Sequence, residues 1–440
     1  FGAAETVRKA ANEEDGPRIV FADGTQSVYL ADMSGDGLTD LVRVRNAEVC
    51  YWPNLGYGRF GSKVTMSNAP LLDHPDLFDQ KRVQLADIDG SGVTDIIYLG
   101  QDLIRVYFNR SGNSWSPAVP LDQMPSVDNL ASIMAMDLLG NGTACLVWSH
   151  PGPVHVNQAM RYVDLMGGTK PHLLTTIKNN LGAETRLKYV PSTSFYLKDL
   201  YDGKPWITRL PFPVHVLEQV EVFDRVSKTK LVTRYKYHHG YFDGVEREFR
   251  GFGMVEQWDT EEFVVLSNSD TLPDATNIDH ASHIPSVCMK TWFPTGAYFE
   301  GGRISRHFED EYYHEGDEGE GNSGLSIPQT EAMLLPDTEV PTTLRLADGS
   351  SVSWELTAEE VREACRALRG SILRQEIYAL DGSDEEDRPY SASERSYTIE
   401  LLQPQGENKH AVFFTHSRET VDFHYERKLF DVLGNRLADP

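Results

Sequence analysis

The chain has 440 residues, of which 40% are hydrophobic and 24% are charged, and its formal net charge is -25. This balance is typical of a globular protein with enough apolar residues for the cores of two or three domains. The excess of negative charge argues against nucleic acid or an anionic membrane surface as a partner, because both require clustered lysine and arginine. The sequence contains no run of about 18 apolar residues, so it predicts no membrane-spanning helix.

The N-terminal residues bear on whether the chain is part of a longer protein, and the cysteines bear on the redox compartment in which it folds. The first residues, "FGAAETVRKAANEEDG", contain neither a starting Met nor the basic-then-apolar order of a signal peptide, so we expect a piece of a longer protein. Cys50, Cys145, Cys288 and Cys365 are scattered without CxxC spacing. This pattern excludes a disulfide framework and a cysteine zinc site, and it predicts free, buried thiols in a chain folded in a reducing compartment.

An internal repeat occupies the first third of the chain. Residues 28–60 align without a gap on residues 83–115, and a weaker third copy, "MDLLGNGTACLVW", follows. Glycine–aspartate loops at 32–40, 87–95 and 137–145 stand in register. Each copy predicts a strand ("SVYLAD"), the loop, a second strand ("DLVRVR"), a turn and a third strand ("EVCYWPN"). Short strands at this period predict a β-propeller or a related β-repeat array, because one small sheet needs its neighbours to bury both faces.

The first two loops have the composition of a calcium site. Their oxygen-bearing side chains lie at positions 1, 3, 5 and 9 of a glycine-rich turn, and hard oxygen ligands at this spacing suit Ca²⁺. The candidate ligands are Asp32, Ser34, Asp36, Asp40, Asp87, Asp89, Ser91 and Asp95. The alternative is a tight turn without metal, in which aspartates bond their own backbone. The third loop has Leu139 and Cys145 at ligand positions, so the turn itself does not require a metal.

Strand patterns of a different kind follow the repeats. Alternating apolar residues predict strands at 184–190, 215–224, 230–244 and 252–259. A helix is predicted over residues 357–375, where Thr357 precedes two glutamates and apolar residues recur on one face. Further strands are predicted in "SYTIELLQP", "HAVFFTH" and "TVDFHYERKLFDV". The second region is therefore predicted to be mainly β with one helix.

Three domains are expected on this pattern. Repeats fill residues 1–150, a first strand-rich segment fills 151–300, and residues 301–440 contain an acidic loop, the helix and further strands. Acidic stretches at 308–324 and 381–389 are typical of solvated loops.

No catalytic constellation is found in the sequence. The chain lacks an HExxH pair and a GxSxG elbow. His238, His239 and Asp243 lie close in sequence, but adjacent residues of a strand point to opposite faces, so the two histidines are not expected to share one ion. Arg247 and Arg250 are expected to pair with neighbouring glutamates and to stack on phenylalanines. We therefore expect a protein that is not an enzyme and that carries no cofactor other than calcium, if the loops bind it.

Three long motifs after the repeats carry a resemblance. "YDGKPWITRLPFPVHVLEQVEVFD", "YKYHHGYFDGVEREFRGFGMVEQWD" and "ALRGSILRQEIYALDG" occur in this order. The chain resembles the middle region of the B component of bacterial Tc (ABC-type) insecticidal toxins. It is also similar to Salmonella-virulence-plasmid B-type proteins and to RHS-repeat shell proteins. The resemblance runs from about residue 20 to the end.

This resemblance implies a fold and a function. The fold is mainly β, with FG-GAP-like β-propeller blades followed by a large RHS-type β-sheet shell segment and a minor helix. The B component and a C component that carries the toxin would build a cocoon, and the propeller would dock on the pore-forming A component and gate toward it. The complex would be made in the bacterial cytoplasm and released outside the cell, without direct membrane insertion by this chain.

A second hypothesis comes from another class of proteins. Glycine–aspartate repeats also suit a calcium-dependent adhesion or glycan-binding β-propeller on a cell surface. The two hypotheses differ in whether calcium changes the stability of the chain.

Overall fold

The computed structural model describes residues 10–18, 26–100, 103–122, 124, 131–150, 160–260, 286–299, 303–313 and 334–427. The chain divides into two compact units, Phe1–Leu173 and Leu174–Pro440. Strands dominate both units in the described part, which confirms the mainly β fold. Among these residues, no helix is both long enough and apolar enough to cross a membrane.

The first unit consists of small antiparallel sheets. Its described strands are β1 Gln26–Ala31, β2 Asp40–Arg45, β3 Glu48–Trp52, β4 Val64–Thr65, β5 Val83–Ala86, β6 Asp95–Leu99, β7 Ile104–Tyr107, β8 Asn109–Arg110, β9 Ser114–Trp115, β10 Val119–Leu121, β11 Ser132–Met136, β12 Cys145–Ser149 and β13 Met160–Asp164. Their orders are β1-β2-β3-β4, β10-β7-β6-β5 and β11-β12-β13, with β8 paired to β9. Each repeat thus forms its own sheet, and the strands predicted in the first repeat are confirmed.

The core of this unit lies between successive sheets. Side chains of the first two repeats share one apolar cluster, in which Val44 and Tyr51 pack with Ile96 and Tyr98. The opposite face of the second sheet, including Ile97, packs with the third repeat in a second cluster. Neighbouring residues of β6 therefore serve different interfaces, as the alternation of side chains along a strand requires. Each sheet is stabilised by its neighbour.

The second unit is built on one large sheet. Its described strands are β14 Thr176–Lys178, β15 Ala183–Pro191, β16 His215–Asp224, β17 Thr229–Asp243, β18 Glu248–Thr260, β19 Ser286–Trp292, β20 Thr343–Arg345, β21 Ser351–Ser353, β22 Arg374–Leu380, β23 Ser391–Gln403 and β24 Val412–His424. The eleven strands follow the order β14-β15-β16-β17-β18-β19-β22-β23-β20-β21, and β24 also pairs with β23. All pairings are antiparallel except β20 with β23.

In the described part of this unit, two α-helices accompany the sheet, α1 Ser192–Tyr201 and α2 Ala358–Ala367. Thr357 caps α2 in a reciprocal bond pair with Glu360, the arrangement that the sequence predicts at a helix start. The helix predicted over 357–375 ends early, at Ala367. Gly370 has φ +78°, and the Leu373 amide bonds the Trp292 carbonyl at 2.9 Å, so the chain has already joined the sheet by that point.

The acidic stretch at 308–324 begins in the core rather than in solvent. Phe308 and Tyr312 are buried with Trp292 in one apolar cluster. The Glu311 carboxylate accepts hydrogen bonds from the Trp292 indole at 3.0 Å and contacts His239 at 2.7 Å. The solvated-loop prediction is therefore wrong for Phe308, Glu309 and Tyr312, which are buried, whereas Asp310 and Glu311 are exposed. The remainder, 314–324, lies outside the described residues.

Candidate functional site

The first glycine–aspartate loop is held by its own aspartates. The Asp32 carboxylate accepts hydrogen bonds from the Gly35 and Gly37 amides, both at 2.7 Å. Both glycines have positive φ, +81° and +82°, a conformation that costs other residues energy. Asp40 is fully buried and accepts the Met33 amide at 2.9 Å and the Asn54 amide at 2.8 Å. The loop is thus a hydrogen-bonded turn between β1 and β2.

The second loop repeats this geometry. Asp87 accepts the Ser91 and Gly92 amides at 3.0 and 2.9 Å. The buried Asp95 accepts the Ile88 and Asn109 amides at 3.0 and 2.8 Å. Burial raises the pKa of Asp95 to about 7, although these two amide bonds oppose the change. The matching Asp40 carboxyl also has a pKa raised by burial.

The third loop keeps the turn without the ninth-position carboxylate. Asp137 accepts the Asn141 and Gly142 amides at 3.0 and 2.8 Å. Cys145 replaces the aspartate that Asp40 and Asp95 provide, and it is buried. Asp137 therefore closes the turn as Asp32 and Asp87 do, without a carboxylate at position nine.

Only the second loop, among the described residues, brings three candidate ligands together. Oxygen atoms of Asp87, Asp89 and Asp95 lie within 4.8 Å of one another, a donor set that suits a hard cation. Asp32, Asp36 and Asp40 of the first loop form no such group within the described part of the chain. Ser34 is half-buried, and Asp36 and Ser91 are exposed. Calcium binding stays a prediction.

Two side chains from beyond the third repeat already approach the second loop. The His172 ring Nε2 lies 2.8 Å from Asp89 Oδ2, and the Lys170 ammonium donates to the Gly90 carbonyl. Burial would raise the pKa of Asp89, but the bonds from His172 and Ser91 lower it. The protein thus places an ammonium and an imidazole of its own at this loop. The sequence did not indicate these partners, because they lie about 80 residues further along the chain.

The loops also connect neighbouring sheets. The Thr94 amide donates to the Asp32 carbonyl at 2.9 Å, and the Asn109 side chain donates to the Met33 carbonyl at 2.9 Å. The next loop continues the series, since the Ala144 amide donates to the Ile88 carbonyl at 3.3 Å. These bonds satisfy buried backbone groups across the seam between two repeats. The described geometry therefore assigns the loops a structural role.

His238 and His239 bind different carboxylates, as the strand geometry predicts. His238 Nδ1 lies 2.6 Å from Asp199 of α1 and its Nε2 lies 3.8 Å from Glu256 of β18. Burial lowers the pKa of His238, but the two carboxylates outweigh it and raise the pKa to about 9. His239 Nδ1 accepts the Ile207 amide at 3.2 Å, so in this tautomer Nε2 donates to Glu311. Each imidazole thus links β17 to a carboxylate from another part of the second unit.

Asp243 lies at the centre of a buried ionic network. Its carboxylate contacts Arg250 at 2.8 Å and Arg362 of α2 at 3.0 Å. Arg250 also contacts Glu248 at 3.4 Å, which confirms the predicted pairing with a neighbouring glutamate. Its guanidinium lies 5.8 Å from the ring centre of Tyr241, whereas stacking on phenylalanine was predicted. The network joins the β17–β18 hairpin to α2.

Comparisons with known proteins agree with this architecture. Residues 109–295 match the model of the insecticide toxin TcdB middle/N-terminal region, and residues 363–435 match that of the TcdB middle/C-terminal region. Together the two matches span more than half of the chain. A search of curated proteins gives no match.

Solved structures of Tc toxin complexes are similar over almost the whole chain. A TcdB2-TccC3-Cdc42 structure matches with a TM-score of 0.74 and 30% identity, covering 92% of this chain and 18% of that one. A TcdB2-TccC3 structure matches with a TM-score of 0.73 and 29% identity, and the match covers 95% of this chain and 20% of that one. The Photorhabdus luminescens Tc holotoxin pore with a mutated TccC3 matches with a TM-score of 0.72 and 29% identity. This match covers 95% of this chain and 19% of that one.

The chain spans about a fifth of the length of these similar chains. The family matches, the structural matches and the order of repeats followed by a large sheet agree with one another. The chain belongs to the TcdB family, the B-type components of Tc insecticidal toxins, and matches the middle region of that family.

Proposed function

We propose that the chain is a non-enzymatic structural part of a toxin-delivery complex. Its second unit forms part of a cocoon wall that encloses a toxin carried by a C component. Its first unit forms part of a propeller that docks on a pore-forming A component and gates toward it. The complex is made in the bacterial cytoplasm and acts outside the cell.

The observation that carries this proposal is the eleven-stranded sheet of the second unit. Strand β17 has 15 residues and β18 has 13, so the sheet is about 50 Å tall at β17 for a rise of about 3.4 Å per residue. Most side chains of β15, β16 and β17 are half-buried. A broad, tall sheet of this kind suits a wall between two compartments.

The partner assignment is supported by the similar structures. TcdB2 is solved there together with TccC3, and another similar structure is that of a Tc holotoxin pore with a mutated TccC3. By analogy this chain would meet a C component through its sheet unit and an A component through its repeat unit.

The absence of catalysis is inferred from how the reactive side chains are used. All four cysteines are free and buried, and burial raises the pKa of Cys288 and of Cys365 to about 11. A thiol of that pKa is a poor nucleophile at neutral pH. His238, His239 and His410 each contact a carboxylate that belongs to another structural element.

Paired substitutions in a complete B-type subunit test the two halves of the proposal. Val232 is 2% exposed and Leu231 is 56% exposed on the same strand. Val232→Glu should disrupt the wall and make a co-expressed C component sensitive to protease, whereas Leu231→Glu should leave it protected. In the repeat unit, Ile97→Glu (0% exposed) should abolish capture of the A component, and Leu30→Glu (69% exposed) is the matched control.

Each arm has an outcome that contradicts the proposal. A C component that is as sensitive to protease with the unmodified subunit as it is alone rules out the enclosing wall. Capture of the A component by the Ile97→Glu subunit at the unmodified level rules out docking through the repeat unit.

One observation favours the alternative function. The convergence of Asp87, Asp89 and Asp95 is compatible with a calcium-dependent adhesion or glycan-binding propeller. That function requires calcium to change stability and binding markedly, so a chelator that alters neither rules it out.

A further inference from the structure

A cavity of about 600 Å³ lies in the second unit where α1 meets the sheet. Its walls come from β15, β16, β17 and β18, from α1, and from Leu380 at the end of β22. This volume is within the range of small-ligand and peptide sites.

The charge of this cavity is opposite to that of the chain. Lys188, Lys198, Arg234 and Lys236 line it, and Glu218 is the one carboxylate among its lining residues. The chain as a whole has a formal charge of -25. Four cations gathered around one cavity in such a chain create a local positive potential that attracts negative groups.

Two of these cations have no counter-charge among the residues that the structure describes. Lys188 pairs with Glu218 at 2.7 Å, and Lys236 lies 3.6 Å from Glu256 and 4.3 Å from the ring centre of Trp258. Within the described residues, no carboxylate pairs with Arg234 or Lys198, although both line the cavity. Their charges are available to a ligand.

The strand register fixes how far apart the cationic residues Lys188, Arg234 and Lys236 lie on the sheet. Lys188 pairs with Gln219, Gln219 with Arg234, and Arg234 with Trp258, so these residues form one row across four strands. Adjacent strands lie about 4.8 Å apart, which places the backbones of Lys188 and Arg234 about 10 Å apart. Lys236 follows Arg234 two residues later, about 7 Å along the strand. One phosphate group does not span such distances, whereas several carboxylates along a peptide do.

We propose that this cavity binds an acidic polypeptide segment of another chain. Aspartate or glutamate side chains of that segment contact Arg234 and Lys198. Its apolar side chains pack on Val190, Phe195 and Leu380, which also line the cavity. Arg234 presents a planar fork that matches a carboxylate in two-point contact. This assignment does not rest on the cocoon function. It gives the second unit a specific peptide-binding site in addition to that function.

Isothermal titration of the full chain with a hexaglutamate peptide tests the site. We expect saturable binding with one peptide per chain, about tenfold weaker binding in each of Arg234→Ala and Lys198→Ala, and weaker binding at higher salt. Arg59→Ala and Lys81→Ala remove exposed cations of the first unit and are the matched controls. Circular dichroism checks that each variant is folded.

Several results would overturn the proposal. Absence of binding to the unmodified chain does so, as do equal losses in the Arg59 and Lys81 variants. Equal binding of hexaglutamine shows that carboxylates are not recognised. Competition by inorganic phosphate at the same concentration as the peptide's carboxylates identifies a general anion site instead of a peptide site.

Discussion

The Asp199 carboxylate on helix α1 lies 2.6 Å from the His238 imidazole on β17. The same carboxylate accepts the Trp206 indole at 2.7 Å, so one buried aspartate joins the helix, the following loop and the sheet. Asp199 is 8% exposed. This contact therefore attaches the helix to the sheet beside the apolar packing of Phe195.

This contact predicts that the attachment of α1 weakens in base. The pKa of His238 is raised to about 9, above the value near 6.5 of an unfolded histidine. A raised pKa stabilises the folded state fully below about pH 6.5, and the contribution is lost as pH rises through about 9. The contribution is on the order of 3 kcal/mol, since the two pKa values differ by about 2.5 and one pKa unit corresponds to about 1.4 kcal/mol.

Hydrogen–deuterium exchange of residues 192–201 measures this effect. After correction for the intrinsic pH dependence of exchange, we expect protection to fall between pH 7 and pH 9.5 in the unmodified chain. His238→Gln should show low protection at all these pH values, and His410→Gln, which alters a half-exposed pair with Glu363, should behave like the unmodified chain. Protection that is constant with pH contradicts the prediction.

The Asp243 network predicts unequal costs for its members. Asp243→Asn removes the carboxylate 2.8 Å from the buried Arg250 guanidinium, 2% exposed, and leaves it the more distant Glu248 at 3.4 Å. Breaking a buried pair of this kind costs about 3–5 kcal/mol. Arg362 contacts the same carboxylate with 30% of its side chain exposed, so Arg362→Ala should cost about 1 kcal/mol or less. Urea unfolding monitored by tryptophan fluorescence gives both values. Equal costs would show that Arg250 does not depend on Asp243.

A glycine on β18 predicts a steric effect. A Cβ added to Gly253 would lie 2.3 Å from the Phe308 ring, which is itself buried. Gly253→Ala should therefore destabilise the second unit by about 1–3 kcal/mol through overpacking. Gly244→Ala is the control, because nothing lies within 4 Å of its added Cβ. Thermal unfolding of the two variants should differ by several degrees, and identical midpoints would contradict the contact.

The sequence predicted several strands and helix α2 because residues close together in the chain determine where these elements begin and end. Strand β2 begins and ends where the alternation of "DLVRVR" places it, and α2 begins at the capping pair of Thr357 and Glu360. Helix α1 was missed because its surface offers no clear polar face. Tyr196, Leu197 and Leu200 are all more than 40% exposed, which removes the contrast on which helix prediction depends.

Other features depend on tertiary contacts and therefore lie beyond sequence patterns. The side-chain partners of the second loop, Lys170 and His172, reach it only through the fold. The cavity lined by Arg234 and Lys198 joins a strand with a helix that the sequence did not predict. The spacing of the loop aspartates alone could not separate bonds to backbone amides from metal ligation.

The second loop gives a prediction that separates a turn from a calcium site. Asp95 accepts two amides while buried, so Asp95→Ala leaves both unsatisfied and should cost about 2–4 kcal/mol. Asp89 contacts His172, whose side chain is 60% exposed, so Asp89→Ala should cost less than about 1 kcal/mol. Thermal unfolding of the full chain gives the order of the two costs.

The same experiment with calcium or a chelator tests the metal directly. Burial raises the pKa of Asp95 to about 7, and protonation of a carboxylate weakens it as a metal ligand. The Lys170 ammonium also supplies positive charge at the loop. We therefore expect the unfolding temperature to be unchanged by either addition. A rise of several degrees with calcium that Asp89→Ala abolishes would instead establish a metal site, because a ligand that binds only the folded state must raise its stability.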